Sequence, residues 1–264
     1  MKMCYNVAKR KKREVSFLSK DIMTFRRVEK KYRIDVLKKQ MLLSLISHRL
    51  VPDSHGKSTI SSVYLDTPSR LLIRNSIDAR TYKEKLRIRS YGVPKPSDRV
   101  FLEIKKKYKG VVYKRREAMP LSMAEKYIET LEKPFDSQIM RELDYAMHFY
   151  RHPKPSMVVS YDREAYFVED MPELRITFDN RIRWREQELF LSCGNGGRML
   201  LPENEYVLEI KTGGAMPLWL SCALDKCKIY PTSFSKYGRA YLSTLYNNEI
   251  ISTEKGENKY VCTV

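Results

Sequence analysis

The chain has 264 residues, of which 50 are Lys or Arg and 32 are Asp or Glu, so its formal net charge is +18. This charge favours a polyanionic partner, which is a nucleic acid, an acidic membrane surface or a phosphorylated ligand, and it separates none of the three. No stretch approaches the about 18 uncharged apolar residues of a membrane span. The five Cys have neither CxxC spacing nor an even number, which argues against a zinc site and a disulfide framework. We expect one folded domain in a reducing, cytoplasmic setting.

The N-terminal half predicts a basic arm followed by strands and a helix. Residues 1–23 include a Lys/Arg run at 9–13 and are predicted to be an arm outside the fold. The segment 25–34 alternates as a strand, and Asp35 is well placed to cap a helix that ends near Ile46. Further strands are predicted at 59–65, 85–91, 99–106 and 111–119.

The C-terminal half alternates helices and long strands. Helices are predicted at 122–131, 135–149, 217–227 and 236–246, and strands at 157–168, 174–184 and 205–211. A polar tail is predicted at 248–264, which leaves 24–247 as the folded domain. About eight strands with inserted helices predict an α+β fold in which a closed antiparallel barrel has helices packed outside.

The predicted strands carry unusual charge on one face. Lys85, Arg87 and Arg89 share a face because side chains along a strand alternate with a period of two. Two such charges about 6 Å apart repel by roughly 3 kcal/mol at an effective dielectric near 20, unless an anion lies between them. An ordinary open sheet with a solvated polar face is the alternative reading. The same pattern continues at Lys31, Arg33, Lys105, Arg163, Arg175 and Lys211.

Acidic residues interrupt this basic face at regular places. Glu29, Glu103 and Glu209 each stand two residues before a Lys, so each shares a face with a cation. A tunnel that alternates carboxylates and cations could hold a divalent metal and phosphates together. The pattern therefore predicts a polyanion site inside a barrel.

A series of motifs in fixed order resembles the VTC domain family, the polyphosphate polymerase domains of the vacuolar transporter chaperone complex and their bacterial relatives. The resemblance covers roughly 25–246. In the first half it rests on Glu-Lys-Lys-Tyr at 29–32, Ser-Val-Tyr-Leu-Asp-Thr-Pro at 62–68, Lys-Leu-Arg-Ile-Arg-Ser-Tyr-Gly at 85–92, Phe-Leu-Glu-Ile-Lys at 101–105 and Lys-Arg-Arg at 114–116. In the second half it rests on Ser-Tyr-Asp-Arg at 160–163, Leu-Arg-Ile-Thr-Phe-Asp at 174–179, Leu-Glu-Ile-Lys at 208–211 and Ser-Lys-Tyr at 235–237.

The resemblance implies the triphosphate tunnel fold shared with CYTH enzymes, a barrel open at both ends. It implies transfer of the ATP γ-phosphoryl group to the end of a polyphosphate chain, with Mn²⁺ or Mg²⁺ as cofactor. ATP and polyphosphate are the implied partners, and nucleic acid is not expected. The stand-alone bacterial arrangement further implies a cytoplasmic protein, held at the inner face of the membrane by a membrane-protein partner. A tripolyphosphatase or nucleoside triphosphatase on the same barrel, and a non-catalytic polyphosphate-binding module, are the alternatives.

The resemblance also assigns roles to residues. It implies that Glu209 binds the metal. The residues it implies for phosphate gripping and catalysis are Lys31, Arg87, Arg89, Lys105, Arg163, Arg175 and Lys236. Alternation along the strands adds four residues for substrate binding, Lys85, Arg33, Arg116 and Lys211. The choice between Arg115 and Arg116 stays open from the sequence.

Overall fold

The computed structural model describes residues 28–79, 81–109 and 111–254, so the arm predicted at 1–23 lies outside the described residues. The fold is α+β, as predicted. The strands are β1 (Val28–Asp35), β2 (Leu50–Asp66), β3 (Tyr82–Tyr91), β4 (Arg99–Tyr108), β5 (Val111–Pro120), β6 (Lys154–Val168), β7 (Met171–Arg185), β8 (Arg198–Met199) and β9 (Glu205–Thr212). The α-helices are α1 (Val36–Ile46), α2 (Leu71–Asp78), α3 (Leu121–Thr130), α4 (Gln138–Phe149), α5 (Leu218–Lys226) and α6 (Lys236–Glu254).

The junction between β1 and α1 follows the predicted capping. The Asp35 carboxylate accepts a hydrogen bond from the backbone N–H of Lys38 at 2.8 Å. This bond satisfies one of the N–H groups that the first turn of a helix leaves without an intrahelical partner. The strand can therefore turn into the helix without a linker. At the other end of the chain, α6 continues past Asn248, where the polar tail was expected to begin.

The sequence analysis did not predict α2. The residue before this helix, Arg70, has a left-handed φ of 58° and its side chain does not cap the helix. The capping group lies earlier, because the Asp66 carboxylate accepts hydrogen bonds from the N–H groups of Leu72 and Ile73 at 2.9 and 3.0 Å. A buried carboxylate at the end of β2 therefore fixes both the helix and the strand end.

The strands form one antiparallel sheet in the order β1-β9-β7-β6-β2-β3-β4-β5, with β8 beside β7. Within the described residues no ladder joins β1 to β5, so the predicted closed barrel is not confirmed. The sheet is nevertheless strongly rolled. Lys105 Nζ of β4 lies 3.9 Å from Glu29 Oε2 of β1, although these strands stand six places apart in the order. In a flat sheet six strand spacings would separate them by about 29 Å.

The outer, convex face of the rolled sheet packs on five helices. Leu86, Ile88 and Leu102 are buried against α3 and α4, and Ile176 and Leu208 are buried against α1 and α5. Burying one such side chain stabilises the fold by roughly 1.5–3 kcal/mol. The opposite, concave face therefore receives the charged residues of the same strands.

The helix α6 packs differently from the others. Phe234 and Tyr237, at its start, belong to an apolar cluster with Tyr64, Met157 and Trp184 from the sheet. The Tyr64 and Tyr237 rings are stacked, with centroids 4.1 Å apart. The start of α6 therefore covers part of the concave face. None of the helices in 28–79, 81–109 and 111–254 is long and apolar enough to cross a lipid bilayer.

Candidate functional site

The concave face brings together most of the charged residues that the sequence analysis selected. They come from five strands and one helix, because the rolled sheet turns the same face of each strand inward. The residues that meet there are Lys31 of β1, Lys85, Arg87 and Arg89 of β3, Lys105 of β4, Arg163 of β6, Glu209 and Lys211 of β9, and Lys236 of α6.

Glu209 stands at the centre of one group of charges, which we call the Glu209 cluster. It includes Asp179 and the four cations that approach the Glu209 carboxylate: Lys236 at 3.1 Å, Lys31 at 3.4 Å, Arg163 at 3.5 Å and Lys211 at 3.6 Å. Burial alone would raise the pKa of Glu209, but Lys236 and Lys31 hold that pKa well below its usual value. Glu209 is therefore a carboxylate at neutral pH.

Asp179 is a member of this cluster that the sequence analysis did not select. It is fully buried, and Arg163 binds both carboxylate oxygens through Nε at 2.6 Å and Nη2 at 2.7 Å. Lys236 Nζ donates to Asp179 at 2.5 Å. Burial alone would lower the pKa of Lys236, but Asp179 and Glu209 raise it above its usual value. The sequence did contain a signal for Asp179. This residue ends the 174–179 motif and follows Arg175 by four positions, so both side chains lie on the same face of the strand.

A second group, the Glu103 cluster, lies on β3, β4 and β5. The buried Glu103 carboxylate contacts Arg87 Nη2 at 2.7 Å, Lys114 Nζ at 2.8 Å and Arg89 Nε at 3.9 Å. Burial opposes its ionisation, yet Arg87 and Arg89 lower the pKa of Glu103 to about 2. Lys114 was missed by the sequence analysis, although it shares a strand face with Arg116 and alternation could have identified it.

Lysines between the two clusters are compensated by acids only in part. Lys85 Nζ donates to Ser235 Oγ at 3.0 Å, and within the described residues it has no ion pair. Burial, followed by repulsion from Lys105 and Lys31, lowers the pKa of Lys85 to about 7. Burial also lowers the pKa of Lys105, whose acidic partner is Glu29 at 3.9 Å. Lowered lysine pKa values mark a place where an anion would be stabilised.

Two buried polar atoms point to the same need for a ligand. Arg89 Nε and Thr177 Oγ1 are buried and have no hydrogen-bond partner among the described residues. Thr177 lies directly opposite Glu209 in the β7–β9 ladder, and Arg89 lies opposite Phe101 in the β3–β4 ladder. A buried donor left without an acceptor costs about 1–3 kcal/mol, so a bound oxyanion would relieve the penalty at Arg89.

Three selected residues lie at the periphery of the concave face. The Arg33 guanidinium is half exposed and pairs with Glu205. Arg175 is also half exposed, with Asp53 at 3.6 Å. Arg116 lies opposite Glu103 in the β4–β5 ladder, with its guanidinium 4.7 Å from the centroid of the Phe101 ring. These three residues surround the clusters instead of joining them.

The structure separates Arg115 from Arg116. Arg115 Nε donates to Glu142 of α4 at 3.2 Å on the convex face. Arg116, its neighbour, points to the concave face because successive side chains on β5 alternate. The concave face therefore includes Arg116 and not Arg115.

The segment that starts α6 lies among these charges. Lys31 Nζ donates to the Phe234 carbonyl at 3.1 Å, and the Ser235 hydroxyl accepts from Lys85. The Lys236 side chain is only 9% exposed. The structure thus places Lys236 inside the Glu209 cluster, where it ties α6 to β7 and β9.

The donor set for a metal is small. Among the described residues no group of three or more His, Cys, Asp and Glu side chains is close enough to hold an ion. Glu209 and Glu29 are near each other, since Lys31 contacts both, at 3.4 and 3.3 Å. One or two carboxylates completed by substrate phosphates is the usual site for Mg²⁺. The residues therefore fit a metal that arrives together with a triphosphate.

The VTC domain family model matches residues 12–245. A solved structure from Vibrio parahaemolyticus, with the provisional name adenylate cyclase, is 14% identical, covers 81% of this chain and 97% of that chain, and has a TM-score of 0.45. A provisionally named adenylate cyclase from Bacillus halodurans is 15% identical over 79% of this chain and 92% of that chain, with a TM-score of 0.48. The comparison with curated proteins gave no match.

Proposed function

The chain belongs to the VTC domain family, and we propose that it is a polyphosphate polymerase that transfers the γ-phosphoryl group of ATP to a growing polyphosphate chain. The observation that carries the proposal is the group of buried lysines on the concave face that carboxylates compensate only in part. Burial and nearby cations lower the pKa of Lys85, which has no ion pair among the described residues, and of Lys105, whose acidic partner is Glu29. A chain of phosphates would supply the missing negative charge along the whole face.

The guanidinium and ammonium groups of the concave face suit phosphoryl transfer. The reaction needs positioning and charge stabilisation more than proton transfer, so guanidinium and ammonium groups can supply most of the catalysis. In the proposal Arg87 and Arg89 grip the transferring phosphoryl group, because Arg89 Nε lacks a hydrogen-bond partner in the described part of the chain. Lys31 and Lys105 bind the oxygens of neighbouring phosphates.

The Glu209 cluster would serve the metal. Glu209, with Glu29, would hold Mn²⁺ or Mg²⁺, which supplies positive charge to the triphosphate when bound. Arg163 and Lys236 position Glu209 through their contacts with Glu209 and Asp179. The cluster has four cations against two carboxylates, so a metal is favoured there only when phosphates accompany it.

The rolled sheet would serve as the triphosphate tunnel. Side chains of β1 and β4 already approach each other across the concave face at Glu29 and Lys105. A phosphate chain bound between them would neutralise repulsion among Lys31, Lys85 and Lys105, which favours closer approach of the two sheet edges. Cytoplasmic placement and a membrane-protein partner belong to the same proposal.

The experiment is incubation of the purified protein with ATP and Mn²⁺, followed by measurement of polymer and ADP. Lys105→Ala is the most informative variant. Among the described residues Lys105 forms no ion pair with a fully buried acid, so the fold should persist without it. We expect its rate of synthesis to fall at least about tenfold, the size of a lost charge-assisted contact. Arg87→Ala should be at least as damaging. Arg115→Ala, on the convex face, is the matched control and should keep the wild-type rate.

The alternative reactions give different products. A tripolyphosphatase or nucleoside triphosphatase would release free phosphate without chain growth. A two-metal hydrolytic site needs more acids than Glu209 and Glu29 provide, which favours synthesis over hydrolysis. A binding module would retain polyphosphate without Mn²⁺ and without making ADP. If the wild-type protein makes no polymer and no ADP, the proposed activity is refuted.

A further inference from the structure

A group of exposed aromatic rings lies on the convex side, away from the charged clusters. Tyr82, Tyr108, Tyr113, Tyr145 and Phe149 form this group, which we call the aromatic ledge, and each is between 42% and 66% exposed. Single exposed apolar side chains are ordinary, but contiguous exposed patches mark sites of interaction.

The contacts show that the ledge is continuous. Tyr82 and Tyr108 are direct partners in the β3–β4 ladder, and Tyr113 lies opposite Lys106 in the next ladder. On α4, the rings of Tyr145 and Phe149 are stacked with centroids 6.0 Å apart. The Phe149 ring lies edge-on to the Tyr150 ring with centroids 5.0 Å apart, and Tyr150 contacts Glu84, which shares a strand face with Tyr82, so the helix part of the ledge joins the sheet part.

Two contacts hold α4 against the strands at this place. The Tyr150 hydroxyl donates to Glu84 of β3, and Arg115 of β5 pairs with Glu142. The rings are therefore presented by a fixed helix and the ends of three paired strands. They are not carried by a loop.

The charge around the ledge is positive. Lys109 at the end of the β4–β5 hairpin is exposed, with its Nζ 5.5 Å from the centroid of the Tyr108 ring, and Arg151 beside Phe149 is exposed as well. The acids of this region are engaged. Glu84 is buried with Lys106, Glu142 pairs with Arg115, and Asp136 pairs with Arg141. Exposed cations thus lie at both ends of the ledge, at Lys109 and Arg151.

We propose that the aromatic ledge docks on an anionic phospholipid surface. Tyr rings suit the headgroup level, where one end of the ring is apolar and the other is wet, and lysines are attracted by anionic lipids. A protein interface would be depleted in exposed Lys, whereas Lys109 is exposed at the edge of the ledge. A nucleic-acid strand would need a basic groove, and the ledge is on the convex side of the sheet. Docking there leaves the concave face free for ATP.

The test is sedimentation of the full chain with vesicles of phosphatidylcholine alone and with vesicles that contain about 30% phosphatidylglycerol. Saturating tripolyphosphate keeps the concave face occupied, so lipid headgroups do not bind there. We expect binding to the anionic vesicles only. The double variant Tyr145→Ser/Phe149→Ser should lower the partition coefficient at least about tenfold, although it leaves the net charge unchanged.

The matched control is Leu37→Ser/Met41→Ser, which removes two exposed apolar side chains of α1, a helix that packs on a different part of the convex face. This control should bind like the wild type. Equal binding of the ledge variant and the wild type would overturn the proposal, as would equal losses in both double variants or equal binding to neutral vesicles. Capture of single-stranded RNA by the ledge without vesicle binding would also overturn it.

Discussion

Proton uptake on ligand binding tests the electrostatics of the concave face most directly. At pH 8 a lysine with a pKa of about 7 is only about 10% protonated in the free protein. Phosphate oxygens beside Lys85 would return its pKa to the usual range or above it. Binding of tripolyphosphate should therefore take up about 0.9 proton at Lys85.

The assay is isothermal titration calorimetry with tripolyphosphate at pH 8 in two buffers of different ionisation enthalpy. The difference in proton uptake between wild type and Lys85→Met should be about 0.9 proton. Lys126→Met is the control, since Lys126 is exposed and pairs with Glu132 on the surface. Equal proton uptake in the wild type and Lys85→Met would refute the placement of Lys85 among uncompensated cations.

The same shift has a consequence for stability. Between pH 7 and the usual lysine value of 10.5, the unfolded chain binds a proton at Lys85 that the folded protein does not bind. The free energy of unfolding therefore rises with pH across this window. Below the window, the folded protein carries the full cost of keeping a protonated Lys85 buried. At pH 7 the penalty is at most about 4 kcal/mol, so Lys85→Met should raise the melting temperature of the ligand-free protein. The gain should vanish near pH 10.5, and a gain independent of pH would contradict this cause.

Three further predictions concern other residues. Glu103→Gln should destabilise the protein by up to about 3 kcal/mol at pH 7, because the pKa of Glu103 is lowered to about 2. The stabilisation that the Glu103 carboxylate gives the folded protein should disappear as the pH falls from 4.5 through 2. Urea unfolding at several pH values would measure this loss. Gly197→Ala should lower the melting temperature, since Gly197 has a φ of 145° and an added Cβ would lie 2.5 Å from the Trp184 carbonyl oxygen. Glu209→Gln should raise the Mn²⁺ concentration needed for half-maximal synthesis, and an unchanged Mn²⁺ response would exclude Glu209 as the ligand.

The strand faces followed from the sequence because alternation is local. Lys85, Arg87 and Arg89 share the concave face, as a period of two requires, and their aliphatic neighbours pack outward. The Asp35 cap was predictable for the same reason, since the capping side chain stands beside the helix that it caps. The capping of α2 by Asp66 was not predictable, because the carboxylate reaches across Arg70 and its left-handed backbone.

The sequence by itself determined the cation-rich strand faces and the resemblance to the VTC domain family, which the family model matches over residues 12–245. Only the tertiary structure decided which charges meet. Asp179 joins Glu209 because β7 pairs with β9, and Lys236 joins both because α6 enters the concave face. Neither the strand pairing nor the position of the helix has a local period in the sequence. The barrel expected from the strand count depends on pairing between β1 and β5, the most distant strands of the order, and this pairing is not seen in the described residues. Local periodicity fixes the direction of a side chain, whereas curvature and register fix its neighbours.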